Sequence, residues 1–429
     1  MKIVKKINRK FLSDRTRRGM KNSLYLTIGQ VISKVITFAG FLYIPNRLGS
    51  HDYGLYATAL AFVGLFSVLS FTGTTKVILR EASKDLNNVK KIIGNTFNLK
   101  LLLSIFQIII IAIAAILVKN YDWNLKLLIF IASNEAFFRS LRPIPKAIIQ
   151  AEEKMKLLAT IEVIKDIIRI CGTVGLLVII NNLFVIMIYR AVVNFVFLFI
   201  YYKNLKKIIH YSLNFNLKKI KLPKKLLKEA AIFSIIGVGG ILSLKIDVAM
   251  ISWLGNPSEV GVYGLSQKIV VQLEMVRGIV LTAFFPLFIK RFNQGKVKLK
   301  KLFQITCIIF LGTLILAVLF SLIADNLITM LYSVEYEQVG SIIVVLVFYL
   351  VFFFSNLPMG TSIQSVGLEK YLLLMYPFTI IINIVLNYFL YKEYGVIGFA
   401  YSTLAVQGFI FIYLLSIGSY QLKKIGAVK

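Results

Sequence analysis

Ionisable side chains recur inside the long apolar runs of this sequence, where a charge is costly to bury in a membrane. Such groups mark ion pairs, binding sites or ion pathways, so each is a candidate for chemistry. The basic candidates are Lys34, Lys100, Arg139, Arg142, Lys165, Arg169, Arg190, Lys245, Lys268 and Arg277, and the acidic ones are Glu135, Glu162, Asp166, Asp247 and Glu274. The basic surplus suits an anion such as a diphosphate or an acidic sugar, and it suits a cationic drug poorly.

Two neighbouring apolar runs carry charges at helical spacing. One face of the first holds Glu135, Arg139 and Arg142, and one face of the second holds Glu162, Asp166 and Arg169. A tight turn near 151–154 makes the two helices antiparallel. This register predicts a structural ion-pair ladder of Arg142–Glu162, Arg139–Asp166 and Glu135–Arg169. The alternative is that one edge of the ladder is open to a cavity, where Arg139 and Arg142 bind phosphate beside the surplus Lys165.

Two proline residues follow the first of these charged stripes. Pro143 and Pro145 lack the backbone N–H that a helix interior needs, so the sequence predicts a kink near the charge cluster. A kink would free backbone carbonyls there, which fits a helix that bends during gating.

A second group of charges flanks a predicted hairpin around 256–259. Asp247 and Lys268 are about equally far from that turn, so they are expected to face each other. Desolvation also makes Asp247 a candidate for ion coupling, as is Glu274. Glu274 and Arg277 stand three residues apart and are expected to pair locally.

The remaining charges have no evident partner in the sequence. Lys34 lies in the middle of the first apolar run with no acidic residue on its own or the adjoining helix, and Arg190 is similarly isolated. Lys245 is two residues from Asp247, about 200° away around a helix. We therefore assign these three to anionic substrate, and the full set of predicted substrate contacts is Lys34, Arg139, Arg142, Arg190, Lys245, Lys268 and Arg277.

The segments that hold these charges have the length and composition of membrane-spanning helices. The chain has 429 residues, of which 58% are hydrophobic, and its mean hydropathy is +0.79. Its apolar residues fall in runs of about 20 or more, long enough to cross a hydrocarbon core of about 30 Å. We predict an all-α integral membrane protein of about twelve transmembrane helices, with no segment left to form a separate soluble domain.

The distribution of lysine and arginine predicts the orientation. The predicted outer connections contain only Arg47, Lys119 and Lys392, whereas the inner segments hold most of the 50 basic residues. This asymmetry places both termini in the cytoplasm. The predicted organisation is a basic N-terminus at 1–22, a six-helix lobe at 23–202, a basic linker at 203–228, a second six-helix lobe at 229–420 and a tail at 421–429. The linker also suits contact with anionic lipid headgroups.

The two predicted halves share a short motif at equivalent places. Leu48-Gly49 precedes Gly54-Leu55-Tyr56-Ala57 in the first half, and Leu254-Gly255 precedes Gly261-Val262-Tyr263-Gly264 in the second. Internal repeats of this kind are common in secondary transporters, whose substrate sites lie at the interface between repeats.

These motifs resemble those of the Wzx-type polysaccharide flippases. The resemblance extends to Ile246-Asp247, Met250-Ile251, Lys268 and the run 149–154. Those proteins belong to the multidrug/oligosaccharidyl-lipid/polysaccharide exporter superfamily. The resemblance implies two lobes in a V around a central cavity in the cytoplasmic membrane. It also implies alternating access that carries polyprenyl-diphosphate-linked oligosaccharide from the inner to the outer leaflet for surface polysaccharide or O-antigen assembly. Membrane lipids and polysaccharide polymerase or assembly proteins are the other expected partners.

Other functional classes fit the sequence less well. An ion-coupled drug or metabolite exporter of the same superfamily is the alternative, although it should expose more unpaired carboxylates. A membrane glycan polymerase is disfavoured because the longest outer connection, 325–338, contains no histidine, arginine or lysine. We expect no catalytic residue, no metal site and no cofactor, with coupling to an H⁺ or Na⁺ gradient left open. The charge of +31 does not indicate nucleic-acid binding, because the basic residues lie between apolar runs.

Overall fold

The structure, a computed structural model, describes residues 14–70, 74–82, 86–209, 245–293, 299–365 and 368–424. Every regular element in these ranges is a helix, which confirms the predicted all-α class. Six helices are long and apolar enough to cross a membrane, within 28–65, 92–117, 183–209, 299–331, 334–364 and 397–424. Together they make the chain a multi-pass membrane protein.

The first half of the chain begins with a long helix and continues through shorter ones. Its helices are α1 (Asp14–Leu65), α2 (Thr74–Ala82), α3 (Leu86–Leu117), α4 (Trp123–Leu141), α5 (Pro143–Ala151), α6 (Met155–Ile179) and α7 (Leu183–Ile209). A 3₁₀ turn, Phe66–Ser70, follows α1 directly. The predicted kink is confirmed, because α4 ends at Leu141 and α5 begins at Pro143.

The second half contains the other described helices. They are α8 (245–254), α9 (Pro257–Asn293), α10 (Leu299–Leu331), α11 (Gln338–Ser355), α12 (Leu357–Ser365), α13 (Glu369–Tyr394) and α14 (Ile397–Lys424). The predicted hairpin between α8 and α9 is confirmed. Asn256 begins α9 by accepting the N–H of Glu259 at 3.0 Å, and its amide donates to the same glutamate's carboxylate at 2.9 Å.

A single residue breaks α1. Gly49 has φ 75° and ψ 170°, a conformation that glycine adopts far more readily than residues with a side chain. The N–H of Ser50, which starts the next helical stretch, donates to a Glu335 carboxylate oxygen at 2.7 Å. The outer connection predicted between the first two helices is therefore one glycine rather than a loop.

The chain divides into two compact units. The first is built from described residues of 1–47 and 62–238, and the second from described residues of 48–61 and 239–429. In the first unit α1 runs parallel to α6, since Gly29 lies against Ala159 and Gly40 lies against Ile170.

The segment 48–61 belongs to the second unit because the two repeated motifs cross there. A side chain at Gly54 would collide with the carbonyl of Pro257, and a side chain at Gly261 would collide with the carbonyl of Ser50. These two clashes are equivalent under the repeat, so each motif meets the other through the same positions. Absence of a Cβ at both glycines lets the backbones approach this closely.

Candidate anion and cation sites

A charged cluster in the first unit is positioned by the joint between α4 and α5. The carbonyl of Arg142 accepts the N–H of Lys146 at 3.3 Å, so the chain stays helical through the joint. Proline at the first position of α5 has no N–H to leave unbonded there. The joint places Arg142 and Lys146 one turn apart, both directed toward α6 and α7.

Glu162 of α6 is the centre of this cluster. Its carboxylate forms ion pairs with Lys146 from α5 and with Lys165 one turn along α6. The hydroxyl of Tyr201 from α7 donates to the same carboxylate. Two lysine ammonium groups and one tyrosine hydroxyl thus bind the same carboxylate.

Asp166 is paired along its own helix. Its carboxylate lies 3.1 Å from Nη2 of Arg169 and 3.6 Å from Nζ of Lys165. Arg169 also reaches Oγ1 of Thr37 on α1, at 3.4 Å. These contacts connect α6 to α1 rather than to α4.

The remaining acidic residue of the predicted ladder, Glu135 of α4, binds Arg190 of α7. Both of its oxygens accept from the guanidinium at 3.1 Å, and the residues are 4% and 8% exposed. The ladder prediction is therefore wrong in all three pairs, Arg142–Glu162, Arg139–Asp166 and Glu135–Arg169. The helical spacing was correct, but α6 is rotated so that Glu162 meets α5 and α7, while Asp166 and Arg169 pair along α6. Arg190, which the sequence assigned to substrate, is instead an internal ion-pair partner in this structure.

Arg142, which the ladder prediction paired with Glu162, forms no ion pair with a carboxylate in the described structure. It is 7% exposed, and within the described structure its Nε and Nη1 have no hydrogen-bond partner. A buried guanidinium with unused donors is costly, and an anion with several oxygens would satisfy it. Arg139, one turn earlier, is exposed. The second interpretation of the stripe, in which Arg139 and Arg142 bind phosphate, stays a prediction.

Lys34 lies near this cluster on α1. It is exposed, one helical turn before Thr37, the residue that Arg169 reaches. Its assignment to substrate stays a prediction.

Lys100 of α3 is a buried cation that the sequence marked without assigning it a role. It is 1% exposed, and its Nζ donates to the carbonyl of Ser140 at 3.1 Å, close to the joint between α4 and α5. This bond stabilises the backbone that carries Arg142. The position of Lys100 in an apolar run was visible in the sequence, but its partner is a backbone atom that no charge pattern reveals.

Asp247 of α8 forms the second site, in the second unit. Its carboxylate accepts from the hydroxyl of Tyr263 at 2.8 Å, the hydroxyl of Thr403 at 3.0 Å and the amide of Asn387 at 2.9 Å. Asp247 is 2% exposed, and none of these partners is charged. The expected pairing with Lys268 is wrong, because neutral groups of α9, α13 and α14 occupy the carboxylate instead.

The oxygen atoms around Asp247 are of the kind that ligate a small hard cation, and the carboxylate itself can bind a proton. The side-chain oxygen of Asn387 is buried without a hydrogen-bond partner, and its amide also donates to Oδ1 of Asn383 at 3.2 Å. Carboxylate, amide and hydroxyl oxygens are the ligands that hard cations prefer. Asn383, Asn387, Thr403 and Tyr263 were not predicted as site residues, although paired asparagines at i and i+4 in an apolar run were a usable signal.

Lys268, the residue expected to pair with Asp247, lies against two tyrosine rings instead. Nζ of Lys268 lies 5.0 Å and 5.2 Å from the ring centroids of Tyr53 and Tyr56, both in the first repeated motif. Lys245 is half-buried at the start of the described part of α8.

Glu274 and Arg277 both contact α11. Glu274 accepts from the hydroxyl of Tyr349 at 2.9 Å, while Arg277 donates to the carbonyl of Phe353 at 3.1 Å. Because successive turns of α11 hold them, the expected Glu274–Arg277 ion pair does not form.

Across the described ranges, no three side chains of histidine, cysteine, aspartate or glutamate gather as metal ligands. The two sites are therefore a cationic cluster in one unit and a buried carboxylate among neutral oxygens in the other.

Comparison with known proteins identifies relatives of this chain and solved structures that share its fold. A candidate O-antigen transporter of Shigella flexneri is 22% identical over 407 residues, which cover 89% of this chain and 93% of that protein. The lipid II flippase MurJ, in an inward closed conformation, matches the fold with a TM-score of 0.75 at 16% identity, over 91% of this chain and 87% of the other. An inward-facing multidrug transporter of the MATE family, from the MOP superfamily, matches with a TM-score of 0.68 at 15% identity, over 94% and 99%.

The resemblance stated from the sequence motifs is confirmed by these matches. A family model described as polysaccharide biosynthesis protein matches residues 20–292, well over half of the chain. This protein therefore belongs to the polysaccharide biosynthesis protein family.

Proposed function

We propose that this protein is a flippase. It translocates undecaprenyl-diphosphate-linked oligosaccharide units from the inner to the outer leaflet of the cytoplasmic membrane, for surface polysaccharide or O-antigen assembly. The observation that carries the proposal is Arg142, a buried guanidinium with unused donors inside a cluster richer in cations than in anions. Family membership and the named relatives support the same class of substrate.

The chemistry of the cluster favours a diphosphate. Glu162 and Asp166 engage Lys146, Lys165 and Arg169, so the charge of Arg142 is left over. Phosphate oxygens accept bidentate hydrogen bonds from a guanidinium, and a diphosphate brings enough oxygens to reach several cations. A cationic drug would meet repulsion here. The exposed Lys34 and Arg139 extend the positive surface of this unit.

The depth of the cluster suits entry from the cytoplasmic leaflet. Glu162 lies seven residues into α6, about 10 Å along the helix from the turn at 152–154. In the proposed topology, twelve helices form two six-helix lobes with both termini in the cytoplasm, and that turn is on the inner side. A headgroup in the inner leaflet would therefore find the cluster within reach, and alternating access would then carry it outward.

We further propose that Asp247 couples transport to a cation gradient. Its carboxylate is 2% exposed and accepts three hydrogen bonds from neutral donors, so none of these partners balances a negative charge and a mobile cation can do so. A proton on Asp247, or Na⁺ held also by the free oxygen of Asn387, would neutralise it. Either cation would change the hydrogen bonds that join α8, α9, α13 and α14.

Deletion and complementation test the proposal. The chromosomal copy is deleted, and wild type, Arg142→Gln, Lys34→Ala or the control Lys300→Ala is expressed at verified levels. Lys300 is exposed at the start of α10. Lys300→Ala therefore removes a positive charge at a position far along the chain from the cluster. Surface glycan and cytoplasmic lipid-linked oligosaccharide are then measured.

We expect loss of surface glycan with accumulation of the lipid-linked precursor on deletion, and rescue by wild type and Lys300→Ala. Arg142→Gln and Lys34→Ala should fail to rescue while remaining in the membrane. Unchanged surface glycan after deletion, in a strain with no second flippase, would contradict the proposal. Export of a small molecule would then be the function to test.

A further inference from the structure

Three side chains of the first unit surround the carboxylate of Glu162 in the way that a binding site surrounds an anion. Lys146 of α5 and Lys165 of α6 pair with different oxygens of this carboxylate. The hydroxyl of Tyr201 from α7 donates to the oxygen that Lys146 contacts. Two ammonium groups and a hydroxyl also suit the oxygens of a phosphate. This anion site is thus occupied by a carboxylate of the chain itself.

A ligand can reach this anion site. The side chains of Lys146 and Glu162 are 32% and 23% exposed, whereas those of Arg190 and Glu135 are 10% and 5% exposed. Exposed charges of a membrane protein face water rather than lipid tails. An ion pair in contact with water separates at little cost, because water stabilises both charges as they part. Glu162 can therefore leave its partners, which the buried Glu135–Arg190 pair cannot do.

Contacts other than those with Glu162 keep the two lysines in place. Nζ of Lys146 lies 5.6 Å from the ring centroid of Tyr201, close enough for a cation–π interaction. Nζ of Lys165 lies 3.6 Å from the carboxylate of Asp166. Both lysines thus keep a partner when Glu162 leaves, and the site can exchange a carboxylate for a phosphate.

Arg142 adds unused donors beside this anion site. It precedes Lys146 by one helical turn, since its carbonyl accepts the N–H of Lys146 at 3.3 Å. Within the described structure, its Nε and Nη1 have no hydrogen-bond partner. Side chains one turn apart have Cβ atoms about 5–6 Å from each other. One diphosphate can therefore contact Arg142 with its first phosphate and Lys146 with its second.

We propose that Glu162 occupies the place of one phosphate of the substrate. On entry, one phosphate of the lipid-linked diphosphate binds the unused donors of Arg142. The other phosphate displaces Glu162 from its three partners, and Glu162 returns when the diphosphate leaves. The inference rests on the proposed function. It adds Lys146, Lys165 and Tyr201 as substrate contacts, and an internal carboxylate that competes for them.

Competition by Glu162 has a measurable consequence. A ligand that must displace an internal anion binds more weakly than it would bind the same cations left free. Weaker binding within one site appears mainly as faster release. Glu162 should therefore lower the affinity for substrate and help its release. In Glu162→Gln, the substrate should bind more tightly and leave more slowly.

Binding to the purified full chain in detergent micelles tests this competition. The probe is a radiolabelled farnesyl diphosphate joined to one sugar, a short-chain analogue of the proposed substrate. Its affinity and dissociation rate are measured for wild type, Glu162→Gln, Lys146→Gln and the control Glu153→Gln. Glu153 is an exposed residue of the turn before α6, so the control removes the same charge outside the site. Gel filtration and thermal unfolding verify that each variant is folded.

We expect Glu162→Gln to bind the probe several-fold more tightly than wild type and to release it several-fold more slowly. Lys146→Gln should bind it several-fold more weakly, and Glu153→Gln should match wild type. In the deletion strain, Glu162→Gln should restore less surface glycan than wild type despite its tighter binding. A carboxylate that only positions the lysines would give the opposite change in affinity.

Equal or weaker binding of the probe by folded Glu162→Gln would overturn the inference. If Glu162→Gln does not fold, Lys146→Gln decides, and binding equal to that of wild type would overturn it. Absence of probe binding by wild type would overturn it as well. If wild type restores surface glycan in the deletion strain in any of these cases, the flippase proposal stands without this site. If deletion leaves surface glycan intact, the proposed function fails independently.

Discussion

The ion pair between Glu135 and Arg190 gives the sharpest prediction about stability. Both residues are more than nine-tenths buried, and both carboxylate oxygens accept from the guanidinium at 3.1 Å. Glu135→Leu removes the carboxylate that binds Nε and Nη2 and leaves a buried charge. Breaking a buried pair from one side costs about 3–5 kcal/mol, because desolvation of the remaining charge is no longer offset.

A double variant separates the free energy of the ion-pair interaction from the effects of the two single substitutions. Glu135→Leu combined with Arg190→Met replaces both charges by apolar side chains of similar size. Such replacements are often neutral, so we expect a free energy of unfolding within about 1 kcal/mol of wild type. Arg139→Met, an exposed position one turn along α4, is the single-charge control and should change it by less than about 1 kcal/mol.

Unfolding by sodium dodecyl sulfate in mixed micelles, followed by circular dichroism, measures these differences on the purified protein. The double-mutant cycle should give a coupling free energy of several kcal/mol between positions 135 and 190. If Glu135→Leu unfolds like wild type, the pair is not an internal support. Arg190 would then return to the set of residues considered for substrate.

Two further predictions concern the second unit. Gly261→Ala should destabilise it by about 1–3 kcal/mol in the same assay, since the new methyl group meets the carbonyl of Ser50 and overpacking typically costs that much. Gly312→Ala, where the new methyl group has open space, should not. Equal effects of the two variants would contradict the crossing of the motifs. Asp247→Asn should abolish the dependence of transport on an imposed H⁺ or Na⁺ gradient, while the exposed control Glu337→Gln keeps it. Unchanged gradient dependence in Asp247→Asn, assayed in proteoliposomes, would contradict the coupling role.

The sequence predicted the helical class and several breaks correctly. Apolar runs, Pro143 and the Asn256 hairpin are local features, and local chemistry determines them. The charge pairing could not be predicted in this way. Spacing along α4 and α6 gives the depth of each charge, but the rotation of a helix about its axis depends on packing with all its neighbours. Lys146 of α5 and Tyr201 of α7 thus bind Glu162, although an argument limited to two helices did not consider them.

The surroundings of Asp247 show a second limit. Its partners Asn387 and Thr403 are 140 and 156 residues further along the chain, and they are neutral. A search for opposite charges near in sequence therefore selected Lys268 and missed them. Polar residues inside apolar runs are the pattern that would have pointed to this site, since each needs a buried partner.

Translocation by the purified protein tests the central claim most directly. Proteoliposomes receive undecaprenyl-diphosphate-linked oligosaccharide in the inner leaflet, and an external glycosidase reports the units that reach the outer leaflet under an imposed cation gradient. We expect wild type to expose the oligosaccharide to the enzyme and Arg142→Gln to expose several-fold less, with equal protein in both membranes. If wild-type vesicles expose no more than empty vesicles under any gradient, the protein is not a flippase for this substrate.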